Sequence, residues 1–283
     1  MKRVYLDNNA TTPVDPQVFA AMQPYFCEKF GNAASRSHAF GWEAEEAVER
    51  ARQQVADVIG ADAKEIIFTS GASESNNIAL KGAVEKYAEK GRHIITQVTE
   101  HKAVIDPCKY LEQHGCRVTF LPVDHYGRID LQQLADALKD DTVLVSVMHG
   151  NNEIGKLQPV AAIGKLCKER GVLFHTDCCQ TFGKAPIDVN AMGIDLLSLS
   201  SHKIHGPKGV GALFAKRGVA FEPLAHGGGH ERGLRSGTEN VAGIVGLGKD
   251  AELAKSRFNS YTARLIGMRD RLINGVLEAV EEA

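Results

Sequence analysis

The amino-acid sequence predicts an α/β protein in which a mostly parallel central sheet is flanked by helices. Short apolar runs alternate with amphipathic stretches along most of the chain, and this alternation is typical of a parallel sheet covered by helices. Polar side chains directly follow several of the apolar runs, at the carboxyl edge of the predicted sheet. Open α/β sheets bind ligands at that edge, so the sequence also predicts where a site lies.

The predicted elements follow one another in a regular order. A long amphipathic helix is predicted over 42–59, because its apolar residues recur at spacings of three and four: Ala44, Val48, Ala51, Val55 and Val58. The predicted strands cover 66–69, 93–97, 117–121, 142–147, 172–176, 195–199 and 209–214. Further amphipathic helices are predicted near 75–90, 103–114, 130–138 and 159–170.

The bulk composition excludes several classes of protein. The chain has 283 residues, of which 43% are hydrophobic, and this supports a sizeable core and argues against disorder. Lysine and arginine number 33 against 35 acidic residues, so the formal charge of -2 gives no reason to expect nucleic acid or an anionic membrane as a partner. The start turns polar too soon for a signal peptide and no apolar run reaches transmembrane length, so we expect a cytoplasmic protein.

The six cysteines show no paired framework, and in a reducing compartment we expect buried free thiols. Cys178 and Cys179, with His175 and Asp177 nearby, raise the alternative of a metal site. Adjacent cysteines at a strand end point to opposite faces, and no Cys-x-x-Cys or His-x-x-x-His motif completes a ligand set. No metal site is therefore predicted.

The last part of the chain carries an apolar helical stripe that needs a cover. Its members are Leu265, Met268, Leu272, Val276 and Val280. The sequence stops inside this stripe, without a glycine cap or a basic last turn, so we expect that a C-terminal part is missing. The alternative is a helix that simply ends and either frays or packs on another subunit.

Lys203 is the residue that points most directly to chemistry. It lies in the run 200–209, SSHKIHGPKG, directly after the predicted strand 195–199 and before a glycine turn. A lysine shielded from water and close to other cationic groups loses its proton more readily, and its neutral amine can form a Schiff base. The alternative is an ordinary loop lysine in a glycine-rich turn.

Four further segments bring polar groups to the same sheet edge. In 67–77, IFTSGASESNN, a strand passes through a glycine turn into a helix whose free N–H groups can bind phosphate. Asp177 ends a strand shortly before Gln180, and its carboxylate could keep a heteroaromatic nitrogen protonated. His101 could stack on a flat ring or carry a proton, and Asn152 follows another strand. Taken singly, each has an ordinary interpretation as a helix cap or a turn residue.

These features together describe a pyridoxal 5'-phosphate site. A phosphate-binding turn, an acid for a ring nitrogen, a stacking imidazole and a Schiff-base lysine are all needed by that cofactor, and few other ligands need all four. The glycine turn is neither a Walker A loop nor Gly-x-Gly-x-x-Gly, which counts against a nucleotide.

The chain resembles the fold-type I pyridoxal phosphate enzymes of the class V aminotransferase family, and specifically the cysteine desulfurases of the iron–sulfur-cluster and nitrogen-fixation kind. The similar segments are YLDNNATT (5–12), FGN (30–32), SGASESNN (70–77), EH (100–101), NNEIG (151–155), the lysine run, HGGGHERG (226–233) and RSGTEN (235–240). The resemblance covers essentially the whole chain and implies that fold.

The resemblance implies a sulfurtransferase that converts L-cysteine to L-alanine. The sulfur would pass to an enzyme cysteine as a persulfide, and then to iron–sulfur scaffold proteins or other acceptors. Lys203 would hold the cofactor and take the substrate's α-proton, while His101 would stack on the ring and act as acid and base. The other implied cofactor-binding residues are Ala72, Ser73, Ser200 and His202 at the phosphate, Asp177 at the ring nitrogen, Gln180 and Asn152 at the ring oxygen or substrate, and Thr238 from the neighbouring subunit of a homodimer.

The sequence departs from the family pattern in several places, and these departures limit which family properties we expect of this chain. The family's persulfide cysteine and its carboxylate-binding arginine would lie beyond Ala283, so we expect this chain to bind the cofactor yet turn over cysteine poorly. Cys178 and Cys179 replace small residues and match no persulfide motif. Ala33 stands where proline is common and Ser73 where threonine is common, and both changes look tolerable.

The implied domain division has three parts. Residues 1–14 form an N-terminal arm belonging to a small domain, 15–256 form the large cofactor-binding domain, and 257–283 form the first helix of an incomplete C-terminal small domain. Two alternatives stay open for the function: a selenocysteine lyase or another β-eliminating lyase on the same scaffold, or a non-catalytic partner of a full-length desulfurase.

Overall fold

The computed structural model describes residues 3–281, and within them seven strands form one mixed sheet. The strands are β1 (Ile66–Thr69), β2 (His93–Gln97), β3 (Arg117–Leu121), β4 (Thr142–Ser146), β5 (Leu173–Asp177), β6 (Leu196–Ser200) and β7 (Gly211–Ala215). Their order across the sheet is β1-β7-β6-β5-β4-β2-β3. The predicted mostly parallel α/β sheet is confirmed, with ends of several strands shifted slightly.

Strand β7 is the reversed strand, antiparallel to both of its neighbours, β6 and β1. The connection 201–210 is too short to contain the crossover that a parallel neighbour requires, so the chain must turn back. All the other strands point the same way, and their carboxyl ends therefore meet at one edge of the sheet.

Helices cover the sheet and follow the predicted pattern. They are α1 (Pro16–Met22), α2 (Pro24–Cys27), α3 (Ala39–Ile59), α4 (Ala72–Asn77), α5 (Ala83–Lys86), α6 (Lys102–Gln113), α7 (Leu131–Ala137), α8 (Val160–Glu169) and α9 (Val241–Ala279). A single π turn, Ile78–Gly82, joins α4 to α5. Helix α3 begins earlier than predicted because the His38 ring accepts the Gly41 N–H, and it ends at Gly60, whose φ is 70°.

All the strands except the edge strand β3 are buried on both faces, so neighbouring residues of one strand belong to different cores. Phe174, Leu197 and Phe214 pack in the larger cluster with α3, α8 and the first part of α9. Leu196 and Leu213, one residue away, pack in the other cluster, which includes apolar residues of α6 and of the π turn. Burial on both faces is why these strands read as continuous apolar runs rather than alternating ones.

Helix α9 is buried only in its first part, where Leu253 is the last buried residue. The predicted stripe further along is exposed: Leu265 42%, Met268 57%, Leu272 69%, Val276 43% and Val280 52%. The predicted domain boundary between residues 256 and 257 falls inside this continuous helix, and the domain division stays a prediction. None of the helices in 3–281 is long and apolar enough to cross a membrane.

Two helical glycines should respond oppositely to alanine. A Cβ atom on Gly164 of α8 would lie 2.0 Å from the Met192 carbonyl oxygen, whereas a Cβ on Gly267 of α9 would meet nothing within 4 Å. We expect Gly164→Ala to lower the free energy of unfolding by about 1–3 kcal/mol because backbone must move. Gly267→Ala should cause no loss, since alanine favours a helix by about 1 kcal/mol over glycine. Urea unfolding compares them, and equal stability of the two variants would contradict the packing of α8.

Candidate active site

A cavity of about 980 Å³ opens at the edge of the sheet where the parallel strands end. All the sequence-predicted site residues except Thr238 line it: Ala72, Ser73, His101, Asn152, Asp177, Gln180, Ser200, His202 and Lys203. They lie at the ends of β5 and β6 or in the segments that follow β1, β2, β4, β5 and β6, so the sheet gathers residues distant in sequence. Thr238 does not line the cavity; it is exposed in the segment before α9.

The turn between β1 and α4 has the backbone of an anion-binding loop. Gly71 has φ 147°, a conformation that residues with a side chain rarely adopt. A Cβ on Gly211 of the adjacent β7 would lie 2.8 Å from the Gly71 Cα, so a side chain at position 211 would displace this turn. The first N–H groups of α4 have no intrahelical acceptor. The first two residues of this helix, Ala72 and Ser73, line the cavity.

Asp177 ends β5 with its carboxylate held from two sides. The Asn76 Nδ2 donates to Oδ2 at 2.8 Å, and the backbone N–H of Cys179 donates to Oδ1 at 2.9 Å. The residue is only 5% exposed, yet it reaches the cavity wall. These bonds fix the direction of the carboxylate before any ligand arrives. Asn76 was not among the predicted site residues, although it lies in the predicted turn segment.

Burial shifts the pKa of two titratable groups close to Asp177 in the direction that favours their neutral forms. Burial raises the pKa of Glu100 well above its ordinary value, and the nearby Asp177 adds to that effect. Burial lowers the pKa of His175 to about 4, and its ring nitrogens lie 2.8 Å from the Ser146 hydroxyl and 3.0 Å from that of Ser198. Neither group lines the cavity, so a ligand meets the carboxyl of Asp177 rather than that of Glu100.

Lys203 lies in a short 3₁₀ turn, Ser201–Lys203, between β6 and β7. The turn is half-buried at Lys203 and is tied to the N-terminal arm, because the Thr12 N–H donates to the His202 carbonyl at 2.9 Å. The His202 Nδ1 lies 3.1 Å from the Thr11 hydroxyl. Burial lowers the pKa of His202, and Lys203 and Lys208 lower it further. A neutral imidazole beside the lysine can accept or donate a hydrogen bond.

The N-terminal arm lines part of the cavity, and none of its residues was predicted from the sequence to lie in the site. Gln180 donates through Nε2 to the Asn9 carbonyl at 2.9 Å, and Asn9 donates through Nδ2 to the Asn152 carbonyl at 3.2 Å. Asn9 and Thr11 line the cavity together with Cys179 and Glu74, which were not predicted either. The only signal for the arm was its resemblance segment, YLDNNATT.

The cysteines are free and, except for Cys27, buried, which confirms most of the thiol prediction. Cys179 contributes to the cavity wall, but burial raises its pKa well above the ordinary value and Asp177 raises it further. Burial likewise raises the pKa of Cys178 to about 12. Such thiols stay protonated and are poor nucleophiles. In the described part of the chain, no cluster of three or more His, Cys, Asp or Glu side chains could hold a metal ion.

Comparison with known proteins shows the family to which this chain belongs. The sequence pattern of the family described as Aminotransferase class-V matches residues 4–280. The chain belongs to this family. It is 56% identical over 281 residues to the cysteine desulfurase IscS of Rickettsia rickettsii (strain Iowa), covering 99% of this chain and 68% of that protein. It is 54% identical to the cysteine desulfurase IscS of Klebsiella pneumoniae (strain 342), covering 98% of this chain and 70% of that protein.

Solved structures give the same result for the fold. A NifS-like protein superposes with a TM-score of 0.95 at 44% identity, covering 98% of this chain and 76% of the other. A structure titled SspA in complex with cysteine gives a TM-score of 0.86 at 44% identity, covering 88% of this chain and 72% of the other. These neighbours confirm the predicted fold-type I architecture and the predicted resemblance to cysteine desulfurases.

The family uses pyridoxal 5'-phosphate, and the cavity has the residues that this cofactor needs. A lysine amine, an oriented carboxylate, an exposed imidazole and a turn with free N–H groups line one space. Gly71 lines the cavity, and the absence of a side chain at position 211 lets the turn keep its place beside β7. Lys203 would hold the cofactor covalently, Asp177 its ring nitrogen, and the β1–α4 turn its phosphate.

The buried carboxyl of Asp250 should make the free energy of unfolding depend on pH. Asp250 of α9 is 1% exposed, and burial raises its pKa from 3.8 to about 9. Because the folded pKa exceeds the unfolded one, folding favours the neutral acid, and stability is lost as pH rises from about 4 toward 9. The loss approaches about 1.4 kcal/mol per pH unit within that window.

We therefore expect the melting temperature of the wild type to fall more steeply than that of Asp250→Asn between about pH 6 and 8. Thermal unfolding followed by circular dichroism measures both proteins across this range. Parallel pH profiles would show that Asp250 is ionised in the folded protein.

Proposed function

We propose that this chain is a pyridoxal phosphate-dependent cysteine desulfurase that converts L-cysteine to L-alanine and passes the sulfur to a cysteine persulfide for iron–sulfur cluster assembly. The observation that carries the proposal is the cavity that both Lys203 and Asp177 line, in a chain 56% identical to a cysteine desulfurase. Iron–sulfur scaffold proteins are the proposed acceptors. The cytoplasm is the proposed location, since a reducing compartment keeps buried thiols free.

The bound cofactor supplies an electrophilic carbonyl carbon and a ring that withdraws electrons from the substrate's Cα. Lys203 would supply the amine that holds the cofactor and a base for the substrate's α-proton. Asp177, fixed by Asn76 and Cys179, would supply a negative charge for the ring nitrogen. The position of both side chains in the cavity wall supports these proposed roles.

His101 is arranged to donate a proton toward the cavity. Its Nδ1 accepts the Ala103 N–H at 3.1 Å, so the neutral ring carries its hydrogen on Nε2. The residue is exposed along the cavity wall and caps α6, which fixes the position of the ring at the helix start. A proton held at Nε2 suits the proposed acid–base role.

We propose that the active form is a homodimer to which Thr238 contributes across the interface. Thr238 is exposed and outside its own cavity, as a residue serving a neighbouring site would be. Exposed aromatic side chains support an interface on this molecule: Phe30 is 65%, Phe40 54% and Trp42 56% exposed, and the two phenylalanine rings stack at 5.6 Å. The division into an arm (1–14), a large domain (15–256) and a C-terminal segment (257–283) belongs to the same proposal.

The anchor of the cofactor is tested by its visible absorption. With pyridoxal 5'-phosphate added, the wild type should show the yellow band of a lysine-bound cofactor, and Lys203→Ala should lose that band entirely because the covalent link is gone. Lys208→Ala, an exposed lysine of the same cavity wall, is the matched control and should retain the band. Equal bands in the wild type and Lys203→Ala would contradict the proposal.

The reaction is tested by its product. L-cysteine should yield alanine, slowly, because the one described cysteine of the cavity wall, Cys179, is buried and protonated. An added dithiol such as dithiothreitol should raise the rate by accepting the sulfur. Amino-acid analysis measures alanine, and an enzymatic assay measures pyruvate.

The two alternative functions, a lyase and a non-catalytic partner, predict different products and a different effect of Lys203→Ala. Pyruvate in place of alanine would identify a β-eliminating lyase, and a much faster reaction with L-selenocysteine would identify a selenocysteine lyase. A non-catalytic partner would yield no product and would bind a full-length desulfurase equally well after Lys203→Ala.

A further inference from the structure

The phosphate-binding turn contains a carboxylate, which is electrostatically the wrong group for a phosphate. Glu74 lies in the first turn of α4, lines the cavity and accepts the N–H of Ser70 from the same turn. A phosphate dianion bound to this turn would lie close to a second negative charge, and like charges at short range repel strongly. Something must therefore offset the charge of Glu74.

Arg235 provides that offset from a distant part of the chain. Its Nε donates to Oε1 of Glu74 at 2.9 Å and its Nη2 to Oε2 at 3.4 Å. Both side chains are about one-quarter exposed, at 23% and 24%, so water screens the pair only in part. Burial acts to raise the pKa of Glu74, but the hydrogen bonds from Arg235 and Ser70 hold it below the ordinary value. The acid is therefore kept ionised by its partners.

The segment that carries Arg235, residues 226–240, is anchored by a buried ion pair. Arg52 of α3 binds the Glu231 carboxylate through two hydrogen bonds of 2.7 and 3.0 Å, and these side chains are 4% and 1% exposed. Arg52 and Arg232 also donate to the Ile66 carbonyl, at 2.9 and 2.8 Å. Ile66 begins β1, which leads into the phosphate turn. The segment 226–240 thus contacts the start of β1 through Arg232 and the turn after β1 through Arg235.

The backbone of the anchored segment is held in an unfavourable conformation. Glu231 and Arg232 have φ of 48° and 59°, a region that residues with side chains seldom occupy. Such conformations persist where surrounding contacts impose them, and here the contacts are the Arg52 ion pair and the Ile66 carbonyl. The position of Arg235 is therefore fixed in advance of ligand binding.

We infer that Arg235 is a positioning residue for the cofactor's phosphate, which neutralises Glu74 so that the β1–α4 turn accepts a dianion. The anchored segment 226–240 thereby links the phosphate site to the exposed surface that presents Thr238. The identity of the phosphate ligand rests on the proposed function, whereas the charge relation between Arg235 and Glu74 does not.

The test compares two ligands that differ only in the phosphate. Equilibrium dialysis measures binding of pyridoxal 5'-phosphate and of pyridoxal to the wild type, Arg235→Met, Glu74→Gln and the double variant. Arg235→Met should weaken pyridoxal 5'-phosphate binding by about tenfold or more and leave pyridoxal unchanged, because only the phosphate meets the exposed charge of Glu74. Glu74→Gln should bind at least as well as the wild type, and the double variant should recover most of the loss.

A matched control removes an arginine–carboxylate pair elsewhere. Arg217 binds Asp62 at 2.8 Å on the surface, outside the cavity, so Arg217→Met should leave the binding of both ligands unchanged. Arg235 carries the test because breaking the buried Arg52–Glu231 pair endangers the fold. A thermal melt confirms that each variant is folded.

The outcomes separate this inference from the proposed function. Equal weakening of both ligands by Arg235→Met, or no recovery in the double variant, would overturn the role of Arg235. Loss of the lysine-dependent visible band in the wild type would overturn the proposed function, while a phosphate-selective loss in dialysis would still support the inference.

Discussion

The common direction of the parallel strands is the constraint on which the rest of this structure depends. Each strand that runs forward delivers its following turn to the same edge, and burial on both faces keeps the strands from shifting. Lys203, Asp177 and the β1–α4 turn lie far apart in sequence and line one cavity only because of this direction. The single reversal at β7 then places Gly211 against Gly71 of that turn, at a point where β7 has no room for a side chain.

Much of this arrangement was predictable because its signals are local. Apolar periodicity identified the strands and α3, and a polar residue directly after a buried run identified Asp177, His101 and Lys203. The direction of β7 was less visible, since only the length of one connection encodes it. The ends of the elements shifted slightly because caps such as His38 act through single hydrogen bonds that periodicity does not show.

The unpredicted parts of the site share a different property. Asn76, Asn9 and the Arg235–Glu74 pair act through contacts between segments separated by more than a hundred residues: the Asn76–Asp177 bond spans 101 positions, the Asn9–Asn152 bond 143 and the Arg235–Glu74 bond 161. No spacing rule within one segment can reveal such pairs. The acidic residue of SGASES, in a turn proposed to bind phosphate, was the one local sequence signal for the cationic partner that the structure supplies in Arg235.

The tie between the N-terminal arm and the lysine turn has a consequence for synthesis of the chain. The Thr12 hydroxyl donates to the His202 carbonyl across 190 positions, so this contact cannot form until the turn after β6 leaves the ribosome. At about 5–20 residues per second, the turn is made roughly 10–40 s after Thr12. The attachment of the first residues made is thus completed only by residues made much later.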